Sequence, residues 1–194
     1  MFRYAGSSEK PMPDMRKYIF IFLYMLVLAA CGQKKTEKSA PQSFPEVIIP
    51  GMLSDAQDRA DWLALNYWNR FADSERTFPS DSLLVSGVRK ADVEQRFANW
   101  VSLLEMVLPS TAEKAVMNLC DRALECEKKS SESSVLETVT ELMEKYLYDP
   151  NSPFRNEDHY GAYAGRLAGW EGLAPELRGR YAHQAERCSL NKVG

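Results

Sequence analysis

Apolar residues recur with the period of an α-helix along most of the chain from residue 54 onward, and no segment alternates apolar and polar residues as a half-buried strand does. The first predicted helix begins after an N-cap at Ser54 or Asp55. Its apolar face consists of Ala56, Ala60, Leu63, Tyr67 and Phe71. Further predicted helices cover residues 90–108, 110–127, 133–147, 156–170 and 175–189. The pattern therefore predicts an all-α fold, an irregular bundle of about six helices.

The third predicted helix follows Pro109, which stops the second one. Ser110 and Glu113 stand three residues apart at its start, which is the spacing of a capping box. Its predicted core stripe consists of Ala112, Ala115, Leu119, Ala123 and Cys126. Cys120 falls at the edge of that stripe.

A different pattern fills the N-terminal region. Arg16 and Lys17 precede an apolar run at 18–30, which ends in small residues directly before Cys31. This order is typical of a bacterial lipoprotein signal peptide. The run is too short to span the ~30 Å hydrocarbon core of a bilayer as a helix. We therefore predict cleavage before Cys31 and lipidation of that residue, whose acyl chains anchor the protein to a membrane.

The signal assignment divides the chain into three parts. Residues 1–30 are the predicted signal peptide, and Met15 is favoured as the true start because residues 1–14 contain glycine, proline and acidic residues. A long n-region and an uncleaved anchor are the alternatives. Residues 31–45 are polar and form the predicted flexible tether, and 46–194 form a single helical domain. The predicted location is the bacterial cell envelope, at the periplasmic face of the outer or inner membrane, or the cell surface.

Charge narrows the range of partners. The chain has 24 lysines and arginines against 27 aspartates and glutamates. Without the predicted signal peptide and tether, 17 basic and 24 acidic residues remain, a net charge of −7. An acidic body repels phosphate backbones, so nucleic acid is not an expected partner.

Besides Cys31, the chain has three cysteines, Cys120, Cys126 and Cys188. Cys120 and Cys126 point to different sides of one predicted helix, so they cannot pair without unwinding it. Cys188 is able to pair with either in an oxidising compartment, which makes the three thiols candidate redox groups. The favoured interpretation is that all three are buried free thiols.

No motif for catalysis, a cofactor or a metal stands out. His159 and His183 do not occur at a ligand spacing, and the chain has no phosphate-binding loop, nucleophile elbow or Cys-x-x-Cys. The prediction is a protein without enzymatic activity, cofactor or metal. The aromatic residues Trp62, Trp68 and Trp100 raise glycan binding as an alternative, although aromatic residues at helical spacing usually belong to the core.

The most unusual segment lies between the fourth and fifth predicted helices. Pro150 and Pro153 stiffen it. Its candidate interaction residues are Tyr148, Asp149, Asn151, Arg155, Asn156 and Glu157. One interpretation is a rigid corner between helices in which Arg155 pairs with a carboxylate. The other is a preorganised docking surface.

This segment, Tyr-Leu-Tyr-Asp-Pro-Asn-Ser-Pro-Phe-Arg-Asn-Glu at 146–157, resembles the signature of a helical domain of unknown function, number 5106, of Bacteroidetes lipoproteins. Residues 58–68 and 190–194 also resemble that family, so the likeness covers residues 46–194. In many relatives a thioredoxin-like thiol–disulfide oxidoreductase domain follows. Because the redox chemistry belongs to that second domain, no catalytic residue carries over.

The signal peptide, the tether, the acidic helical body and the lack of a catalytic motif predict one function, and the resemblance implies a second. The first is a non-enzymatic interaction module in the cell envelope, with the membrane as one partner through the acyl chains on Cys31. The second is the accessory or truncated N-terminal part of a thioredoxin-like oxidoreductase. The partner class implied in either case is a thioredoxin-like protein or domain, and no small-molecule ligand is indicated.

Overall fold

The fold is mostly helical, as the apolar pattern predicts. A computed structural model describes residues 40–78, 81–130 and 132–190. The predicted signal peptide, the lipidation site Cys31, most of the tether and residues 191–194 lie outside these ranges. The described residues form six α-helices, a π-helical turn and two very short strands, which confirms the all-α bundle.

The elements follow one another in the predicted order. In the chain they are α1 (Ala56–Asn66), β1 (Leu84–Val85), β2 (Val88–Arg89), α2 (Lys90–Leu104), α3 (Pro109–Lys129), α4 (Val135–Met143), a π-helix (Glu144–Tyr148), α5 (Glu157–Ala168) and α6 (Pro175–Leu190). None of the helices in the described ranges combines the length and the apolar character needed to cross a membrane.

The predicted N-cap of α1 is confirmed. The Asp55 carboxylate accepts hydrogen bonds from the backbone N–H groups of Gln57 at 2.8 Å and Asp58 at 3.0 Å. The capping box predicted for α3 is wrong, because this helix already begins at Pro109 and no side chain caps it. Proline suits the first helical position, since its φ is fixed near the helical value and it has no N–H group to satisfy.

Two short irregular elements were not predicted. The strands β1 and β2 pair antiparallel around a two-residue turn in which Ser86 has φ 48° and Gly87 has φ 76°. Two positive φ values in sequence suit the right-handed twist of a tight hairpin. The fourth predicted helix is not continuous either. It changes to a π-helix, in which the N–H of Asp149 donates to the carbonyl of Glu144 at 2.9 Å.

Aromatic side chains from the segment after α1 and from α2 form a cluster in the core. Trp68 and Trp100 meet edge to face with their ring centroids 5.9 Å apart, and they are only 3% and 0% exposed. Buried indoles cannot stack on a sugar, so the glycan platform suggested by the tryptophans is wrong for this pair. Phe44, from the predicted tether, also stacks on Phe71 at 5.1 Å and is buried.

The helix α3 lies at the centre of the bundle and contacts α1, α4 and α5. Because these helices cover α3 on more than one side, the buried part of its surface is wider than the single apolar stripe predicted from the sequence. Cys120, predicted at the edge of the stripe, is consequently fully buried. The helices α5 and α6 pack closely on each other, which brings the last turns of α6 beside the first turns of α5.

Candidate functional site

The loop between α4 and α5 is attached to the bundle through two stacked tyrosines. The ring of Tyr148 lies on that of Tyr160, with centroids 4.4 Å apart and an interplanar angle of 21°. The hydroxyl of Tyr160 donates to the side chain of Gln184 on α6 at 2.9 Å. The start of the loop is therefore fixed to both helices that follow it.

Polar side chains satisfy the backbone of the loop. The Asp149 carboxylate accepts from the backbone N–H of Asn151 at 2.8 Å and from its side-chain amide at 3.1 Å. The backbone N–H of Asn156 donates to the carbonyl of Leu147 at 3.0 Å, and its side-chain oxygen accepts from the N–H of His159 at 3.1 Å. These three predicted site residues therefore shape the corner itself.

The middle of the loop is held in the same way. The Ser152 hydroxyl donates to the carbonyl of Tyr146 at 2.5 Å and accepts from the N–H of Phe154 at 3.2 Å. Arg155 forms an ion pair with Glu157, which is the carboxylate partner that the corner interpretation requires. A loop fixed at so many points is preorganised, so a surface that it presents needs little ordering when a partner binds.

Two adjoining clefts flank this corner. The smaller one has a volume of about 300 Å³, and we call it the arginine pocket; its lining residues are Tyr148, Pro150, Arg155, Glu157, Arg187 and Cys188. The larger one, the main cleft, has a volume of about 670 Å³ and lies between the α2–α3 corner, the start of α5 and the end of α6. Glu157 and Cys188 line both, so the two clefts form one continuous surface.

The main cleft combines an acidic wall with an apolar rim. Carboxylates of Glu105, Glu113, Glu157 and Asp158 lie in its lining. Three large apolar side chains that directly precede or follow lining residues in the chain are exposed, Met106 by 69%, Leu108 by 60% and Leu190 by 66%. Burial lowers the pKa of His159, although Asp158 and Glu113 act in the opposite direction. The imidazole in this cleft is therefore neutral at pH 7.

The structure does not bring the three candidate redox thiols together in one site. All three are buried and unpaired. Burial raises the pKa of Cys120 to about 12 and that of Cys126 to about 11, and it also raises the pKa of Cys188. Such thiols are almost entirely protonated at neutral pH, which makes them weak nucleophiles. Cys188 alone lines the clefts beside the loop.

The described ranges contain no group of three or more His, Cys, Asp or Glu side chains arranged to hold a metal ion. Four residues at the clefts, Met106, Leu108, Leu190 and Arg187, were not predicted as surface features. For Met106 and Leu108 the local signal is an excess of apolar residues just before Pro109, in the run Leu-Leu-Glu-Met-Val-Leu, and Leu190 lies outside that run. No local sequence pattern indicates Arg187, because its place in the candidate site depends on the loop between α4 and α5, which lies beside it in the folded protein.

The comparisons with known proteins agree with the resemblance noted in the loop. The family model described as "Domain of unknown function (DUF5106)" matches residues 29–191. No curated protein matches the chain. The crystal structure of a thioredoxin-like protein from Bacteroides caccae ATCC 43185 is similar to it, with a TM-score of 0.63 and 28% identity. That match covers 79% of this chain and 50% of the solved chain, so this chain spans half the length of that structure. Because the family model covers most of its residues, this protein belongs to the DUF5106 family of domains of unknown function.

Proposed function

We propose that this protein is a non-enzymatic docking module, held at a cell-envelope membrane through acylated Cys31, whose main cleft binds a thioredoxin-like domain. The observation that carries the docking role is the apolar rim of that cleft. Of the eight large apolar side chains exposed in the described residues, three are direct chain neighbours of residues that line this one cleft, namely Met106, Leu108 and Leu190. Exposed apolar side chains gathered at one place mark interaction surfaces more reliably than scattered ones.

The choice of partner rests on the solved relative. That relative is described as a thioredoxin-like protein, and this chain matches half of its length. The part of this chain that the structure describes has only two strands of two residues each. We infer that the thioredoxin-like part of the relative lies in its other half. The resemblance implies that in relatives such a domain follows the end of α6, and Cys188 and Ser189 in the last turn of α6 line the main cleft.

Docking is tested with the unmatched half of the Bacteroides caccae protein as the probe, by calorimetric titration. We expect the double variant Met106→Ser/Leu108→Ser to lose about thirtyfold in affinity, since covering each of the two side chains contributes on the order of 1 kcal/mol. Leu83→Ser is the control, because Leu83 is also 69% exposed but neither of its chain neighbours lines the main cleft. Unchanged binding by the double variant would rule out the main cleft.

Anchoring is tested separately. The support for it is the basic start, the short apolar run and the small residues before Cys31. In cells fed labelled palmitate, we expect the label in the wild-type protein and none in Cys31→Ser. Mass spectrometry of the precursor accumulated with globomycin also determines whether translation starts at Met15; a peptide containing residues 9–16 would refute that start.

A second candidate function, an accessory role in thiol–disulfide exchange, is favoured by one observation. Cys188 lines both clefts, where a docked thioredoxin-like domain would meet it. This candidate predicts a disulfide at Cys188 in protein isolated from the envelope. The docking module predicts three reduced thiols and full binding by Cys188→Ala. Thiol counting before and after unfolding separates the two functions.

A further inference from the structure

We propose that the arginine pocket binds a carboxylate side chain of the docked partner, through the guanidinium groups of Arg155 and Arg187. This inference rests on the proposed docking function and adds a recognition element to it. The two arginines come from different parts of the chain, Arg155 from the loop before α5 and Arg187 from the last turns of α6. Both line the same volume of about 300 Å³.

The pocket holds more positive charge than its own residues neutralise. Arg155 is paired with Glu157. Arg187, in contrast, forms no ion pair or hydrogen bond through its guanidinium with any residue that the structure describes, and it is exposed. One guanidinium therefore presents its N–H donors to an incoming group, on a folded part whose net charge is −7.

The charges of the Arg155 and Arg187 guanidinium groups both act on the Cys188 thiol. Burial and the charges of Glu157 and Asp158 raise the pKa of the Cys188 thiol, and the charges of Arg155 and Arg187 both oppose that rise. Cys188 lines the pocket, so the two charges converge on its wall. An anion that enters the pocket experiences the attraction of both.

One side of the pocket is rigid before anything binds. Tyr148 is stacked on Tyr160, and Pro150 follows within the same loop. Glu157 orients Arg155 from the start of α5. Preorganised donors of this kind lower the entropic cost of binding, because few side chains have to be ordered.

The surroundings favour a carboxylate over a phosphate. A guanidinium group matches both anions with two parallel hydrogen bonds. However, the Glu157 carboxylate lies in the pocket, and Glu113 and Asp158 line the adjoining main cleft. These three carboxylates outnumber the two arginines, so the net charge around the pocket opposes a phosphate dianion more than a single negative charge, while the hydrogen bonds to the guanidinium groups are similar for both. Since Glu157 and Cys188 belong to both clefts, a partner seated in the main cleft reaches the pocket with its own side chain.

The first experiment needs no partner. The full-length protein labelled with ¹⁵N is titrated with acetate, with acetamide and with inorganic phosphate, and the arginine side-chain resonances are followed by NMR. We expect acetate to move the resonances of Arg155 and Arg187, acetamide to move neither, and phosphate to bind more weakly. Loss of the acetate response in Arg187→Gln supports the site. No response to acetate, or stronger binding of phosphate, would overturn the assignment.

The second experiment uses the same thioredoxin-like probe as the docking test. We expect Arg187→Gln to weaken binding at least tenfold, and Arg187→Lys to recover only part of it, because lysine keeps the charge but not the planar pair of donors. Lys128→Gln is the control, an exposed cation outside both clefts. Thermal unfolding verifies that each variant folds.

The two proposals fail in different ways. If wild-type protein binds the probe and Met106→Ser/Leu108→Ser weakens it while Arg187→Gln does not, docking stands and the carboxylate site is overturned. If acetate moves both arginine resonances but the wild-type protein does not bind the probe, the docking function is overturned, and with it the partner as the source of the carboxylate.

Discussion

Gly161 of α5 lies against Cys188 of α6 so closely that a β-carbon on Gly161 would be 2.9 Å from the Cys188 Cβ atom. Side chains at a helix contact set the distance between the helix axes, so the missing side chain permits this approach. The contact also places Cys188 in the wall that the main cleft and the arginine pocket share. One glycine thus supports both the packing of the helix pair and the shape of the candidate site.

Replacing Gly161 with alanine should destabilise the protein. Inserting a methyl group into a packed contact typically costs about 1–3 kcal/mol, which exceeds the helix-propensity gain of about 1 kcal/mol. Gly165→Ala is the matched control on the same helix, since its β-carbon would meet the Ala185 Cβ atom at an ordinary 3.9 Å. We expect Gly165→Ala to be neutral or stabilising. Urea unfolding measures both, and equal effects would contradict the close contact.

The two buried tryptophans of the aromatic cluster should respond differently to replacement by phenylalanine. The indole N–H of Trp100 donates to the carbonyl of Ala64 at 3.1 Å. The indole N–H of Trp68 has no hydrogen-bond partner among the described residues. Both changes leave a similar cavity, but only Trp100→Phe leaves a buried acceptor unpaired. We expect Trp100→Phe to cost about 1–3 kcal/mol more than Trp68→Phe in the free energy of unfolding.

Stability should fall as the pH rises above 9, provided that the thiols are kept reduced. Burial raises the pKa of Cys120 from 9.0 to about 12 and that of Cys126 from 9.0 to about 11. Above pH 9 the unfolded chain therefore releases these protons while the folded chain retains them, and the difference favours unfolding. Each thiol contributes a loss of about 1.4 kcal/mol per pH unit once the unfolded thiol is ionised.

Urea unfolding at pH 7.5 and pH 10 measures this loss. Cys120→Ala provides the internal control, because it removes one of the titrating thiols. We expect the variant to be less stable at pH 7.5 but to lose less free energy than the wild type between the two pH values. An equal loss in both proteins would show that Cys120 ionises as readily in the folded state as in the unfolded state.

Local patterns determined what could be predicted from sequence. The cap at Asp55 and the start of α5 after Asn156 depend on a few neighbouring residues, and both were visible. The hairpin could not be predicted, because its two-residue strands on either side of Ser86 and Gly87 are too short to show an alternation of apolar and polar residues. The π-helix likewise changes the hydrogen-bond register without changing the apolar pattern.

Only part of the candidate site could be predicted from the sequence, for a related reason. The loop has an unusual local sequence, and that sequence alone indicates Tyr148, Arg155 and Glu157 as candidates. The other half comes from the α2–α3 corner and the end of α6, which contribute Glu105 and Arg187. These elements are distant in sequence, and their convergence depends on helix packing that one sequence does not reveal.

The last prediction concerns the junction between the loop and α5, where the Asn156 side chain caps the N–H of His159 at 3.1 Å. Asn156→Ala removes this cap and should cost about 1 kcal/mol in the free energy of unfolding. Asn156→Asp keeps an acceptor there and should recover most of the loss. Hydrogen exchange localises the effect, since amides in the first turn of α5 should lose protection in Asn156→Ala while those of α3 do not. If Asn156→Ala and Asn156→Asp behave alike, the cap is not what stabilises this junction, and the rigidity of the corner comes from its other contacts, among them the Tyr148–Tyr160 stack and the hydrogen bonds of Ser152.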